Sequence, residues 1–397
     1  MINKNIIFNN KLIYKKKKLP NNIKKKFLDL KKDFFWNKIP MLNSFNKNFK
    51  LNYNIKYIKK IKKKNNFNII GMGGSVLGSK AIYSFLKYKI KKKFNFIDNL
   101  NINNFISLAK DKKNNNIFIS KSGNTIETIA NLNLIIKRKN FSSNTFITEF
   151  KNSALLEIAN KLKCEIIEHK DYIGGRYSVM SEVGMLPAEL MNLKIKNFKN
   201  LNYLIKSKKF ISLLLSNVSS IYSLSSKGQN NSVILNYDED MYDFCLWYQQ
   251  LVGESLGKNK KGILPTISIM PKDNHSLMQY YLDGPKNSFF TFFSSKQNQK
   301  FKMKNEYISE NLKYLKNKSL DKIINAQKLA TQNVFLNKKI SYRSFHILKK
   351  NEEELGTLFT FFVLETILLS RLFKINPFDQ PAVELIKSET TRILSNS

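Results

Sequence analysis

Between Ile117 and Thr128 the chain reads IFISKSGNTIET, an apolar run that stops at Ser120, Lys121, Ser122, Gly123, Asn124 and Thr125 and then resumes with helical spacing. Hydroxyls, one ammonium and a glycine at the mouth of a helix make a cradle for a phosphate dianion. The glycine lets backbone approach the ligand, and the helix start offers unpaired N–H groups and the positive end of its dipole. The same residue types also serve as ordinary turn and capping residues, so a capped turn is the competing reading. No GxxxxGK[ST] occurs here, which disfavours a nucleoside triphosphate. A second glycine segment, GMGGSVLG at Gly71–Gly78, also follows an apolar run. GxGxxG would need glycine where Val76 stands, so it is a poor dinucleotide fingerprint. Two such strand ends, one offering Gly74 and Ser75 and the other its hydroxyls, suggest one pocket with a backbone cradle beside a hydroxyl cradle.

Four more segments carry charged or amide groups that could do chemistry. Gly174 and Gly175 precede Arg176, placing a permanent positive charge where backbone can come close. Gln250 and Glu254 lie one helical turn apart in QQLVGESLGK, near a helix end at Gly257. A carboxylate on a rigid helix facing a partly apolar pocket is what a general base needs. His275 in KDNHSLMQ is suited to proton transfer near neutral pH, and Gln380 and Lys387 belong to NPFDQPAVELIK, stiffened by Pro377 and Pro381. Each has a bland alternative: a salt-bridged arginine, an amphipathic helix, a structural histidine, a helix-end lysine.

The elements that must hold these groups alternate. Short apolar runs at Phe67–Ile70, Phe94–Ile97, Ile117–Ser120 and Thr145–Thr148 predict strands with helical patterns between them, which implies a parallel sheet with right-handed crossovers. A polar, basic stretch at 195–210 predicts a boundary. Beyond it the alternation resumes: helix Phe210–Ser225, strand Ser232–Asn236, helix Met241–Leu256, strand Thr266–Met270, a helix near His275–Leu282, strand Phe289–Phe293 and a long helix Gly356–Phe373. The division expected is an N-terminal extension (1–40), two α/β domains (41–200 and 201–355) and a C-terminal helix and tail (356–397).

A chain of 397 residues with 42% hydrophobic content can bury a large core. Its formal charge of +39 would suggest a polyanionic partner, but of 68 basic residues only five are arginine, leaving 63 lysines. Lysine, asparagine and isoleucine are the products of A- and T-rich codons, and a nucleic-acid reader would be expected to use arginine forks. Runs such as Lys15–Lys18, Lys24–Lys26 and Lys62–Lys64 read as solvated faces, and no specific nucleic acid is expected. Cys164 and Cys245 are too few and too far apart for a zinc site or disulfide framework, which fits a reducing cytoplasm. The apolar stretch Leu355–Phe373 carries Glu365 and Arg371 and reads as a buried helix rather than a membrane span.

Taken in order, GMGGSVLG, SKSGNTIET, GGRYSVMSEVG, QLVGESLGK, the His275 segment and NPFDQPAVELIK resemble the phosphoglucose isomerase family from about residue 67 to 387. The resemblance implies two flavodoxin-like sugar-isomerase (SIS) domains, each a mainly parallel sheet flanked by helices, with a C-terminal helical segment. It implies a phosphorylated hexose substrate, isomerised between glucose 6-phosphate and fructose 6-phosphate through a cis-enediol(ate), with no metal or redox cofactor. By similarity Ser75, Ser120, Lys121, Ser122 and Thr125 would hold the phosphate and Glu254 would move the proton. Arg176 would stabilise the intermediate, and His275 and Lys387 would open the sugar ring. Gln250 and Gln380 would position hydroxyls, and Glu127 would help orient the histidine. The family is a homodimer whose site is shared, the histidine coming from the neighbouring subunit, with no membrane partner. The alternatives are a noncatalytic phosphosugar-binding regulator on the same domains, and an isomerase that also accepts mannose 6-phosphate. SKSGNT departs from the family's SKTxTT but keeps its hydroxyls, and Ile386 stands where glycine usually precedes the last lysine.

Overall fold

The computed structural model of the chain describes residues 2–12, 21–101, 114–136, 144–296 and 301–396. Its strands are β1 (Ile6–Lys11), β2 (Asn66–Gly71), β3 (Lys93–Ile97), β4 (Asn115–Ile119), β5 (Asn144–Thr148), β6 (Glu165–Glu168), β7 (Asn231–Asn236), β8 (Leu264–Ile269), β9 (Ser288–Ser295) and β10 (Tyr342–Ile347). Among the described residues they form two five-stranded sheets, ordered β3-β2-β4-β5-β6 and β1-β10-β9-β7-β8. The first is parallel throughout. The second is parallel except for β1, which runs antiparallel to β10.

Every strand expected in the first half is present, and each begins earlier than its apolar run. Asparagine begins three of them, at Asn66, Asn115 and Asn144, and Lys93 begins β3. Across four strands Asn95 Nδ2 donates to Asn68 Oδ1 (3.0 Å), Asn68 Nδ2 to Asn116 Oδ1 (2.8 Å) and Asn116 Nδ2 to Asn144 Oδ1 (2.8 Å). These residues stand opposite one another in the register, so each amide meets the next and burial leaves the ladder satisfied.

Several expectations need correction. The described part of the first forty residues is not a separate extension: β1 completes the edge of the second sheet, and the helix Asn21–Phe35 packs on the helix Glu352–Phe373. Asn5 Nδ2 donates to Glu354 at 2.6 Å and Asn3 donates to the same carboxylate, fastening the chain start to that helix. The polar, basic stretch expected as a boundary at 195–210 carries two short helices, Ile195–Phe198 and Leu201–Leu204, that bury Phe198, Leu201 and Leu204. The helix near His275 is broken into a turn, Lys272–His275, and a helix, Met278–Asp283. β6, β10 and the helix Leu320–Asn337 went unforeseen; β6 is bounded by glutamates and β10 carries Arg343 and His346 among its apolar residues. Lys24, Lys25, Lys63 and Lys64 are exposed as expected, whereas Lys15–Lys18 lie outside the described residues.

The helix Glu352–Phe373 is long and apolar enough to cross a membrane, but 89% of its most apolar window is buried inside the fold. Its Glu365 is fully buried and pairs with Arg343 of β10. Arg343 also donates to Thr291 Oγ1 (2.9 Å), Asn217 Oδ1 (2.9 Å) and the Tyr248 hydroxyl (3.0 Å), and Tyr248 donates to Glu365 Oε1 (3.3 Å). Buried charges are tolerated here because each is paired and hydrogen-bonded. Tyr248 lies on the helix Tyr242–Leu256, which also carries Gln250 and Glu254, so the network fixes that helix against the second sheet. Tyr248→Phe leaves part of the Arg343–Glu365 pair unsatisfied and is expected to lower stability by about 1–3 kcal/mol. A urea unfolding midpoint measures the loss. An unchanged midpoint would remove the network from the account.

Candidate active site

From β2 the chain crosses to β3 on one side and then to β4 on the other, so the crevice beyond the carboxyl ends of β2 and β4 is a topological switch point, the usual ligand position in an open α/β sheet. Gly71 and Ile119 are paired residues at those ends. GMGGS leaves β2 there and SKSGNT leaves β4, so the two loops singled out in the sequence stand side by side.

The hydroxyl loop is organised around Ser120, which is 2% exposed. Its Oγ shares a hydrogen bond with Thr125 Oγ1 (2.9 Å) and accepts the Gly123 N–H (3.2 Å). Gly123 has φ +69°, a left-handed turn natural to glycine, and packs against Ser153 and Thr148. Thr125 occupies the cap position of the helix Ile126–Ile135, yet its side chain makes no capping bond. The first-turn amides therefore receive no cap from this side chain. Ser122 is exposed, its Oγ accepting the Asn124 N–H (3.3 Å). Lys121 Nζ is engaged at the side, 2.6 Å from the Asp171 carbonyl and 3.5 Å from Glu149.

The glycine loop joins this hydroxyl loop to the Glu254 helix. Gly73, at φ +52°, is the cap residue of the helix Gly74–Leu86, and a Cβ there would lie 2.6 Å from Gln250 Nε2. A Cβ on Gly74 would overlap the Gly175 carbonyl and lie 2.6 Å from Arg176 N. The helices Gly74–Leu86 and Tyr242–Leu256 pack together, and Ser84 Oγ donates to Asp243 across them. Gly74→Ala is expected to cost about 1–3 kcal/mol of stability by overpacking. It should also raise the KM for a phosphorylated substrate, because Ser75 and Arg176 are pushed apart. Denaturation and steady-state kinetics measure both, and wild-type values in each would contradict this junction.

Arg176 is the hub of the second half of the site. It is 3% exposed and donates through all three nitrogens: Nε to Ser255 Oγ (2.9 Å), Nη1 to Glu254 Oε2 (3.0 Å) and Gln380 Oε1 (2.8 Å), Nη2 to the carbonyls of Pro377 (2.6 Å) and Asp379 (2.9 Å). Glu254, with 28% of its side chain exposed, also accepts Gln250 Nε2 at 2.8 Å. Gln250 Oε1 is buried with no hydrogen-bond partner among the described residues, an acceptor beside the carboxylate suited to a ligand hydroxyl. A cavity of about 650 Å³ opens on Glu254 and is lined by Gly253, Lys258, Asp379, Gln380 and Val383.

Sequence reasoning missed what clasps the 376–380 loop. Lys258 Nζ donates to the carbonyls of Asn376 (2.6 Å) and Asp379 (2.5 Å) and to Asp379 Oδ1 (2.5 Å), a hydrogen bond that holds the Asp379 carboxyl below the usual range. The Tyr177 hydroxyl shares a hydrogen bond with Ser255 Oγ (2.8 Å) and donates to the Pro377 carbonyl (3.1 Å), and burial pushes its pKa up. The signal was adjacency: Tyr177, Ser255 and Lys258 lie one to four positions from Arg176 and Glu254.

Three of the expected residues are not brought to Glu254 within one chain. His275 is exposed on the turn after β8. Lys387 is exposed on the helix Pro381–Ser395, where its Nζ pairs with Glu384 at 2.7 Å. Glu127 stands half-buried in the first turn of the helix Ile126–Ile135. The chain thus assembles Gly74, Ser75, Ser120, Lys121, Ser122 and Thr125 at one end of a crevice and Arg176, Gln250, Glu254 and Gln380 at the other.

Comparison with known proteins bears on this arrangement. The family model described as phosphoglucose isomerase matches residues 53–268. The glucose-6-phosphate isomerase of Methanocaldococcus jannaschii is 33% identical over 344 residues, covering 83% of this chain and 84% of that protein. A hypothetical protein from Thermus thermophilus superposes with TM-score 0.77 at 22% identity, covering 94% of this chain and 91% of that one. A glucose-6-phosphate isomerase from Chlamydia trachomatis superposes with TM-score 0.72 at 20% identity, covering 86% of this chain and 72% of that one. The likeness to the two solved structures concerns the fold, paired α/β domains of the sugar-isomerase type.

Proposed function

We propose that this chain, which belongs to the phosphoglucose isomerase family, interconverts glucose 6-phosphate and fructose 6-phosphate. The observation that carries the reading is one carboxylate, Glu254, held between Arg176 and Gln250 beside a phosphate cradle at the sheet's switch point. The phosphate would sit at the amides and hydroxyls of Gly74, Ser75, Ser120, Ser122 and Thr125, with Lys121 adding charge. That places the sugar chain toward Glu254, whose carboxylate would carry a proton between C1 and C2 through a cis-enediol(ate). The charge developing on the enediolate oxygens would be met by Arg176, fixed in place before the reaction begins. Gln250 Oε1 and Gln380 would take the sugar hydroxyls. This proton shuttle needs neither metal nor redox cofactor, and its place would be glycolysis and gluconeogenesis in the cytoplasm.

A coupled assay with fructose 6-phosphate, read as glucose 6-phosphate formed, tests the reading. Turnover by the purified chain is the expected outcome, and none at any protein concentration would remove the enzyme. Mannose 6-phosphate in the same assay measures substrate breadth.

We further propose that the working unit is a homodimer in which His275 reaches the partner's crevice, oriented by Glu127, and assists ring opening with Lys387. Both are exposed in the single chain, and Leu385 and Ile386 beside Lys387 expose large apolar side chains that a second copy would cover. His275→Ala and Glu254→Gln proteins should each be nearly inactive. After subunit exchange, mixed dimers carry one intact site, so activity should return to about a quarter of wild type. No recovery despite proven exchange would place His275 in the same site as its own Glu254.

A further inference from the structure

Glu149, the residue after β5, is a carboxylate at the hydroxyl loop for which the proposed reaction has no use. Its N–H donates to the Lys121 carbonyl (3.2 Å) and the Ser120 N–H donates to the Ile147 carbonyl (3.1 Å), so the end of β5 holds the start of SKSGNT beside it. The Glu149 side chain is 12% exposed, and its two oxygens lie 3.5 Å from Lys121 Nζ and 3.1 Å from Lys151 Nζ. Lys121 also donates to the Asp171 carbonyl, in the turn after β6, at 2.6 Å.

The two lysines on this carboxylate are not equivalent. Lys151 projects into solvent, with 68% of its side chain exposed, and an ion pair there is worth little. Lys121 is the one ammonium in SKSGNT. While Glu149 is ionised, a phosphate dianion that draws on Lys121 competes with a carboxylate already in place. His169, whose charge would act on both, is 2% exposed and burial pulls it down to about 4, so near neutral pH it adds nothing to the pair. A sugar phosphate group lies away from C1 and C2 and is the same in substrate and product. Extra grip on it is uniform binding, which lowers KM without speeding the proton transfer.

We propose that Glu149 is a positioning residue for the phosphate: it holds Lys121 to the side of the cradle and weakens its pull on the dianion, so that affinity stays moderate and the phosphorylated product leaves. This rests on reading SKSGNT as the phosphate loop. Lys121 binds phosphate as a point charge on a flexible stem, and that stem lets it turn from the carboxylate to the ligand while keeping a donor for the Asp171 carbonyl.

Calorimetric titration with inorganic phosphate and steady-state kinetics with fructose 6-phosphate test this on wild type, Glu149→Gln, Lys121→Met and the double variant. Glu149→Gln should bind phosphate about two- to fivefold more tightly and lower KM by a similar factor, with kcat within about twofold of wild type. Lys121→Met should weaken phosphate binding, and in its background Glu149→Gln should change nothing, because the carboxylate acts through that ammonium. The proposal is overturned by equal or weaker phosphate binding in Glu149→Gln, by the same gain with and without Lys121, or by no saturable phosphate binding to either wild type or Glu149→Gln. The expected binding pattern without turnover would remove the isomerase and leave the role of Glu149 toward phosphate standing. Turnover with unchanged phosphate affinity and KM in Glu149→Gln would remove that role and leave the isomerase.

Discussion

Glu254→Gln is expected to lower kcat for fructose 6-phosphate by about 10²–10⁴-fold, the range supplied by a positioned general base, with KM within a few-fold of wild type. The substitution keeps the shape of the side chain. Its amide oxygen can still accept from Arg176, and Gln250, whose own oxygen is unpartnered, can rotate its amide to accept from the new NH₂ group. Arg176 also retains Ser255, Gln380 and the carbonyls of Pro377 and Asp379, so the thermal midpoint should barely move. What disappears is a carboxylate able to take a proton. Undiminished turnover in this variant would remove Glu254 from the chemistry while leaving the family and the fold untouched.

Arg176→Lys should behave differently, losing rate and stability together. The guanidinium makes five hydrogen bonds in a fixed fork, and a lysine ammonium has three donors at a single point on a flexible stem. At least two of the Ser255 hydroxyl, the Glu254 and Gln380 oxygens and the Pro377 and Asp379 carbonyls would lose their partner. Ser255 and the two carbonyls keep Tyr177 or Lys258, so the loss falls mainly on the Glu254 and Gln380 oxygens and costs about 1–3 kcal/mol. The catalytic loss should reach about 10²–10³-fold, as for removal of one preorganised donor from a developing oxyanion, because charge alone is kept while its direction is lost. The 376–380 loop would then hang on Lys258 and Tyr177 only. Urea denaturation and kcat on the same preparation separate the two variants: Glu254→Gln loses rate alone, Arg176→Lys loses both. Wild-type stability in Arg176→Lys would mean that the fork is not what holds the loop.

Much of the first sheet was legible because its strands are apolar runs ending in glycine or hydroxyl loops, the form that period and turn chemistry detect. The boundaries slipped where asparagine carries a strand, since the amide ladder through Asn68, Asn116 and Asn144 is satisfied only by neighbours far away in the chain. β10 escaped for a similar reason. Arg343 reads as a surface residue until Glu365, on a helix twenty-two positions later, is folded against it. β1 could be found only through its antiparallel partner, because six residues of mixed character carry no period of their own.

In the candidate site, residue types pointed to Arg176, Glu254 and the hydroxyl loop, and neighbours in sequence hid the rest. Ser255 and Lys258 are small or ordinary residues whose duty appears only when the 376–380 loop is laid across Arg176. His275 and Lys387 are a different case. Their types suit proton transfer, but a single chain leaves both in solvent. Their proposed roles rest on a second copy.

The central claim is that a base in this chain moves a proton between C1 and C2 of a phosphorylated hexose. It is tested most directly by NMR of fructose 6-phosphate incubated with the purified protein in deuterated water. A proton carried by a side chain can exchange with solvent, so conversion should yield glucose 6-phosphate bearing deuterium at C2, and Glu254→Gln should suppress both conversion and labelling. No conversion at all, or undiminished conversion and labelling in Glu254→Gln, would contradict the account.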